Sequence, residues 1–452
     1  MVLRIYNTLS RKKEIFKPLK GKKINLFVCG ITPYDYPHIG HTKTYTQFDF
    51  IVKYLRYKGY NVFYLQNITD LDDKIIQRAG ELNITSKELS RKFEKIYLEN
   101  MEKLHNDSVT KYVRATDYIN AIVKQVNTLI KNGYAYKIND GWYFDISKDK
   151  EYGKLSGRNI EQAEDAISRI DKSKEKRNKG DFCLWKFSKL GEPSWETEIG
   201  KGKPGWHIED TAITETFFGP QYDIHGGAVD LVFPHHEAEI AQMESASGKK
   251  PLVKYWMHTG FLNVKGQKMS KSLGNFITIS DILKRYDYKL IRYFFLSSHY
   301  RSPIDFSDEL LEQSKNSLQR LNDFLSNCKD KPINKNNKKF VEETKNKFFE
   351  SLDDDFDTPK AFAVLFDFIR EANKKGPDKN YYKLLLEINE IFDIFDVKEP
   401  KLSKEIKDLI KKREKARKEG NFKEADKIRG ILKNKGILLE DTPKGIKHKT
   451  IK

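Results

Sequence analysis

The chain has 452 residues, 38% hydrophobic and 12% aromatic, with a formal net charge of +18. This length suits roughly two to four domains with cores of their own, and no run of about 18 apolar residues is present to cross a bilayer. Three cysteines, Cys29, Cys183 and Cys328, are too scattered for a disulfide framework, and the opening Met1-Val2-Leu3-Arg4 lacks the charged-then-apolar form of a secretory signal; the expectation is a soluble, cytoplasmic protein.

In chain order, a β-like run from Lys23 to Val28 leads through a tight loop into a segment from Thr42 to Lys58 with apolar residues at helical spacing. A second apolar run, Asn61 to Leu65, ends in Asn67-Ile68-Thr69-Asp70. This is a βαβ unit, whose ligands belong beyond the carboxyl ends of its strands. Helical spacing returns from Ser86 to Leu104. From about 113 to 200 the pattern breaks into an insertion with Gly141-Trp142-Tyr143-Phe144 and a charge-dense stretch, Ser168 to Lys179, read as a mobile loop. Further helices are expected over Ile282 to Leu296 and Glu309 to Asn327. A helical bundle follows over Phe340 to Leu352, Pro359 to Asn373 and Tyr381 to Phe395, with Asp353 to Pro359 as a cap and a proline first turn. After a linker containing Pro400, two basic helices, Glu405 to Lys418 and Asn421 to Lys433, precede a short tail. Residues 401–452 carry 18 Lys+Arg against 8 Asp+Glu, a net +10, which favours a nucleic acid over a membrane as partner.

Two motifs carry chemistry. In Pro37-His38-Ile39-Gly40-His41, Gly40 admits a close backbone approach, the helix start offers unpaired N–H groups, and two imidazoles can donate to phosphate oxygens. A lone pair of histidines at this spacing is also what an ordinary surface gives. The second motif, Lys268-Met269-Ser270-Lys271-Ser272, sits between glycines and places two lysines where they can counter triphosphate charge; alone, it equally reads as a solvated charge run. Seven of the ten histidines fall in the opening loop or between His207 and His258, and are expected to converge. Cys29, at the end of the first strand, with His235 and Glu239 four residues apart, makes a plausible zinc set of sulfur, nitrogen and oxygen donors.

Together the two motifs resemble the signatures of class I aminoacyl-tRNA synthetases. Phe27 to Gly30, Asn67 to Asp70 with Asp72-Asp73-Lys74, Asp181 to Lys186, Gly205-Trp206-His207-Ile208-Glu209 and Phe233-Pro234-His235-His236-Glu237 narrow the resemblance to the cysteinyl-tRNA synthetase family, along nearly the whole chain. It implies an α/β, Rossmann-like catalytic domain with a connective insertion, an α-helical bundle and a small C-terminal anticodon-binding module. The expected divisions are 1–112 and 201–260 for the two catalytic halves, 113–200 for the insertion, 261–330 for the lysine loop and stem-contact region, 331–400 for the bundle and 401–452 for the basic module. It implies ATP-dependent activation of L-cysteine and transfer to tRNA(Cys). His38, His41, Lys268 and Lys271 would act on ATP, which Gly40 also contacts and Mg²⁺ accompanies. Gly30, Thr69, Trp206 and Asp230 would hold the amino acid, and Cys29, Asp210, His235 and Glu239 would hold one Zn²⁺ per chain. Many members have cysteine where this chain has Asp210, for which the other reading is a helix N-cap. Zinc answers a physical need: cysteine and serine are nearly the same size, and pocket shape alone separates such pairs by roughly 10 to 200-fold.

Overall fold

The computed structural model describes residues 2–158, 173–269, 274–397, 404–435, 437–442 and 445–450. They form two compact units, residues 1–394 and 395–452.

The core of the first unit is a five-stranded parallel sheet in the order Val253–Thr259, Tyr222–Ala228, Lys23–Ile31, Asn61–Ile68, Lys111–Arg114. Its strands are largely buried, as the apolar run Leu26-Phe27-Val28 requires of a sheet covered on both faces. Strand order reverses between Lys23–Ile31 and Tyr222–Ala228, so a crevice opens at their carboxyl ends. The helix Ile39–Tyr57 makes the crossover after the first strand and buries Phe48, Ile51, Val52 and Leu55. Its N-terminus is closed by histidines: His38 Nδ1 accepts from Gly40 N at 3.2 Å, and His41 Nδ1 accepts from His38 N at 3.4 Å.

The insertion folds into a four-stranded antiparallel sheet, Ala135–Ile138, Gly141–Phe144, Phe182–Phe187 and Gly202–Pro204. The helix Ile119–Lys131 shares an apolar core with Ile208–Phe218 and with Ala238 and Ala241 of Glu237–Ser247. The charge-dense stretch expected as a loop lies partly outside the described residues. A three-stranded sheet, Gln267–Lys268, Leu262–Val264 and Ile304–Phe306, carries one root of the lysine motif. Beyond the motif, Ile39 N donates to Ile277 O (3.1 Å) and Ile279 N to Pro37 O (3.0 Å), so the other root is bonded to the histidine loop itself.

The helix expected over Ile282 to Leu296 is instead two, Ile279–Arg285 and Tyr288–Leu296. Asp287 adopts an extended backbone and accepts from Lys289 N, ending one helix and capping the next. The bundle helices Asp308–Cys328, Lys338–Asp353, Thr358–Lys375 and Lys379–Phe392 pack Phe324, Phe340, Phe368 and Tyr381 edge-on and stacked. Asp357 caps the third with Pro359 in its first turn, where a missing N–H costs nothing.

In the second unit, Lys404–Lys418 and Phe422–Asn434 are antiparallel neighbours joined at Gly420, whose φ of 73° suits glycine. What reads as a short tail is an antiparallel hairpin, Ile437–Thr442 with Gly445–Thr450, and Ile437 and Leu439 join Ile428 and Leu432 in a small core.

Candidate metal centre and active site

Cys29 ends the run of buried residues on the central strand, and His225 stands on the neighbouring strand across the reversal point. Their side chains meet at 3.3 Å, Sγ to Nε2. His235 and His236 sit in the irregular turn Val232–His236, where Phe233 leaves helical geometry, immediately before the helix that carries Glu239. Asp210 comes from the opposite side. It is not an N-cap: the helix runs from Ile208 to Phe218, which places Asp210 within its first turn and points its carboxylate into the cluster.

The structure thus brings the four expected ligands together. His235 Nε2 lies 3.0 Å from Asp210 Oδ2 and 3.1 Å from Glu239 Oε1, and Cys29 Sγ lies 4.0 Å from Glu239 Oε1. All four are buried, and their ligand atoms fall within 4.8 Å of one another. The neighbouring groups fix their orientation. Asn67 Nδ2 donates to Asp210 Oδ1, leaving Oδ2 for the centre, while Asn67 Oδ1 accepts from Gly30 N at 2.6 Å. Gly30 must be glycine, because a Cβ there would stand 1.6 Å from the Asn67 carbonyl oxygen. His207 and His235 meet through their Nδ1 atoms at 2.8 Å, which turns His235 Nε2 toward the carboxylates.

The electrostatics suit a cation. Burial pushes the Cys29 thiol well above its ordinary range, and Glu239 and Asp210 add to that. Burial opposes charge on His235, yet Glu239 and Asp210 outweigh it and push its pKa up to about 10. Burial likewise raises Glu239, to about 8, with His235 opposing the rise; without a metal, His235 and Glu239 therefore hold protons that a divalent ion would displace. His207, His225 and His236 are held well below the usual imidazole range by burial and by neighbouring histidines, and burial takes His258 to about 3, so these rings are neutral. Sulfur, nitrogen and oxygen donors in one buried group fit a borderline metal such as zinc.

Of the residues expected to hold the amino acid, three border this cluster. Trp206 stacks on His235 with ring centres 4.7 Å apart, Thr69 Oγ1 donates to Glu209 Oε1 at 2.7 Å, and Gly30 adjoins Cys29. Asp230 is exposed on the one-turn helix Val229–Leu231. His225, His236 and Asn67 were given no role by the motifs, although the doubled His235-His236 and the histidine-rich window were the available signal.

His38 and His41, the residues expected on the phosphate side, are brought together with their rings stacked at 3.8 Å. With both Nδ1 atoms accepting from the backbone, each ring carries its proton on Nε2, the form that donates to a phosphate oxygen. Burial and the adjacent His38 hold His41 well below the usual range, consistent with a neutral ring there. A Cβ on Gly40 would lie 2.9 Å from the His38 ring, so the cap needs glycine there. Tyr45, one turn on, stacks with His41 and donates to Cys29 O at 3.3 Å, linking the two halves of the site. Lys268 ends the strand Gln267–Lys268, and Lys271 lies outside the described residues.

A model of the class I (C) tRNA synthetase catalytic domain matches residues 15–316. A DALR domain model matches 347–395, and a cysteinyl-tRNA ligase anticodon binding domain model matches 399–447. Cysteine–tRNA ligases of Thermococcus gammatolerans (44% identical) and Thermococcus onnurineus (43%) align over 100% of both chains, and that of Thermoplasma volcanium (45%) over 97% of each. Among solved structures, methionyl-tRNA synthetase of Mycobacterium tuberculosis in complex with methionyl-adenylate shares the fold at a TM-score of 0.60 and 17% identity, over 82% of this chain and 90% of that one. A leucyl enzyme of Agrobacterium radiobacter, in a ternary complex with tRNA, does so at 0.62 and 10%, over 82% and 83%. The crevice at the strand reversal, the histidine-closed helix and these full-length matches place the chain in one family: it belongs to the cysteinyl-tRNA ligases of the class I aminoacyl-tRNA synthetases.

Proposed function

We propose that the buried cluster reads the thiol of cysteine, with Cys29, Asp210, His235 and Glu239 as zinc ligands while the amino acid is bound. The chain is a ligase, and its reaction is the ATP-dependent joining of cysteine to tRNA. The carrying observation is the convergence of these four side chains at the strand reversal, within one tyrosine of the His38–His41 pair. When bound, zinc supplies a Lewis acid that accepts a soft thiolate far better than a serine hydroxyl.

The protein's groups then do the placing. Trp206 walls the side of His235, Gly30 and Thr69 meet the amino acid's backbone groups, and Asp230, exposed just past the carboxyl end of the strand Tyr222–Ala228, takes the amino group. In the first step a carboxylate oxygen of cysteine attacks the α-phosphorus of ATP and pyrophosphate leaves. His38 and His41 donate through Nε2–H to phosphate oxygens, and Lys268, Lys271 and an ATP-bound Mg²⁺ offset the developing charge. In the second step a ribose hydroxyl at the 3′ end of tRNA(Cys) takes the cysteinyl group and AMP leaves. No covalent enzyme intermediate is needed, so rate comes from placement and charge.

We assign residues 1–112 and 201–260 to the catalytic halves, 113–200 to the acceptor end, 261–330 to the lysine loop and the inner corner of tRNA, 331–400 to the bundle, and 401–452 to the anticodon. No described helix is long and apolar enough to cross a membrane; we place the enzyme in the cytoplasm with its tRNA. Cys29→Ser tests the reading. Zinc content and cysteine-over-serine preference should both collapse, and retention of both would remove the cluster from substrate recognition.

A further inference from the structure

Lys43 lies on the helix Ile39–Tyr57 just beyond His41, on roughly the opposite face of that helix. It is 1% exposed, and its Nζ donates to Gly260 O at 2.7 Å and to Tyr300 O at 3.1 Å. Gly260 joins the central strand Val253–Thr259 to the strand Leu262–Val264, against which Gln267–Lys268 is paired. We infer that Lys43 is a positioning residue for the first reaction step: by holding Gly260 it fixes the arm that carries Lys268 against the helix that begins at His38 and His41. The inference rests on reading these residues as the phosphate side.

Four observations carry it. First, the start of the arm is packed backbone to backbone: a Cβ on Gly260 would stand 2.5 Å from Arg301 O and from Ser302 O. Gly260 N donates to Tyr300 O at 2.9 Å, so that oxygen accepts from both Gly260 and Lys43, and the Lys43 amine closes a ring of helix, arm and loop. Second, the neighbouring residues repeat the link, with Thr44 Oγ1 and Thr259 Oγ1 2.8 Å apart. Third, the far root of the lysine motif is bonded to the same helix start, through Ile39 N to Ile277 O and Ile279 N to Pro37 O. Lys43 supplies the corresponding hold at the near root. Fourth, burial lowers the Lys43 amine to about 7, and no carboxylate opposes that shift. A buried amine without a counter-charge costs stability, and an apolar side chain of similar length would fill the space without that cost. What lysine alone supplies here is the pair of N–H bonds to the arm and the loop.

The loop that receives Lys43 is itself held. Tyr300 Oη donates to Asp355 Oδ1 at 2.7 Å, and Arg301 Nε donates to Asp355 Oδ2 at 2.8 Å. Asp355 is 0% exposed, precedes the bundle helix Thr358–Lys375, and also accepts from Tyr6 N at 2.8 Å. Lys43 therefore ties the arm to a fixed point and not to a surface loop. Charge contacts in a transition state depend on placement, and a shift of about 1 Å can cost about 10²-fold in rate. The bonds of Lys43 run to the arm and not to the thiol cluster, so its loss should fall on phosphate chemistry and spare recognition of cysteine.

Cysteine-dependent pyrophosphate exchange by full-length Lys43→Met, with folding checked by circular dichroism and urea unfolding, tests this. The kcat of exchange should fall by about 10 to 100-fold, while the KM for cysteine stays within about threefold of wild type. Transfer from preformed cysteinyl-adenylate to tRNA, followed in a single turnover, should also stay within about threefold, because it no longer needs the lysines on the leaving pyrophosphate. If Lys43→Met does not fold, Lys43→Gln, which keeps a donor on a shorter stem, is read in the same way. A folded variant with a lowered urea midpoint and wild-type exchange would show a packing role alone and overturn the inference. Equal losses in exchange and in transfer would overturn it as well, since the whole site would then be disturbed. Wild-type exchange in both Lys268→Ala and Lys271→Ala would overturn the phosphate-side reading and the inference with it, whereas wild-type exchange in folded Lys43→Met alone overturns only the inference.

Discussion

Replacing Arg292 by Met removes a charge on which three parts of the first unit converge. The guanidinium is 0% exposed. Its Nε donates to Phe392 O at 3.1 Å, and its Nη1 to His105 O at 3.1 Å and to Asn106 Oδ1 at 2.9 Å. Nη2 lies 2.8 Å from Asp49 Oδ2, a close ion pair that lacks the angle of a straight hydrogen bond. Asp49 belongs to the helix that begins at the His38–His41 loop, and Phe392 ends the last bundle helix. Methionine fills similar space but leaves the carbonyls of Phe392, His105 and Leu104 and the Asn106 amide oxygen without this donor, and leaves Asp49 with Lys53 and the Ser108 N–H. Breaking a buried pair from one side costs about 3 to 5 kcal/mol, of the order of a 10²- to nearly 10⁴-fold rise in the unfolded fraction. Urea unfolding followed by tryptophan fluorescence reads this cleanly, since all five tryptophans precede residue 394. The pH dependence supplies a second check. Burial alone would raise the Asp49 pKa, and Arg292 with Lys53 holds it below the ordinary carboxylate value. A lowered acid contributes stability above its unfolded pKa of about 4, and that contribution is lost as pH falls through the lowered folded value. In Arg292→Met the burial effect is less opposed, so acid unfolding should begin at higher pH. A variant within about 1 kcal/mol of wild type, with unchanged acid unfolding, would refute the assignment of this pair as a structural hub.

Lys271→Ala should slow cysteine-dependent pyrophosphate exchange by about 10²-fold or more with little change in cysteine affinity, as expected when one preorganised charge is removed; an unaffected exchange rate would remove Lys271 from the phosphate side. A chain truncated after Pro400 should keep cysteine activation and charge tRNA poorly, and tRNA binding by the full chain should weaken steeply with salt. Loss of activation in a folded truncated chain would contradict this separation of binding from chemistry.

The sequence was most legible where one local pattern sets the geometry. The strand, loop and helix around Cys29 to His41, the spacing of His235 and Glu239, and the Asp357–Pro359 helix start all follow from period, cap or turn chemistry within a few residues. His225 and His236 were harder to assign. His225 reaches Cys29 only because Tyr222–Ala228 pairs beside Lys23–Ile31, a neighbour relation across 196 residues that no local pattern encodes. Helical spacing ran through Asp287 because the apolar residues stay in phase on both sides of it. The terminal hairpin was hidden by its lysines, which mask a short alternation at Ile437 and Leu439. Asp210 was ambiguous for a physical reason: an aspartate near a helix start serves equally as a cap or as a first-turn residue turned inward, and what separates the two is that the helix already begins at Ile208 and that Asn67 holds Asp210 Oδ1.

Pyrophosphate exchange into ATP with cysteine and with serine, measured on zinc-loaded and zinc-stripped wild-type protein, tests thiol selection most directly. Zinc-loaded protein should activate cysteine and effectively ignore serine. Stripping should abolish that preference, and restoring zinc should restore it. Equal discrimination with and without the metal would contradict the account.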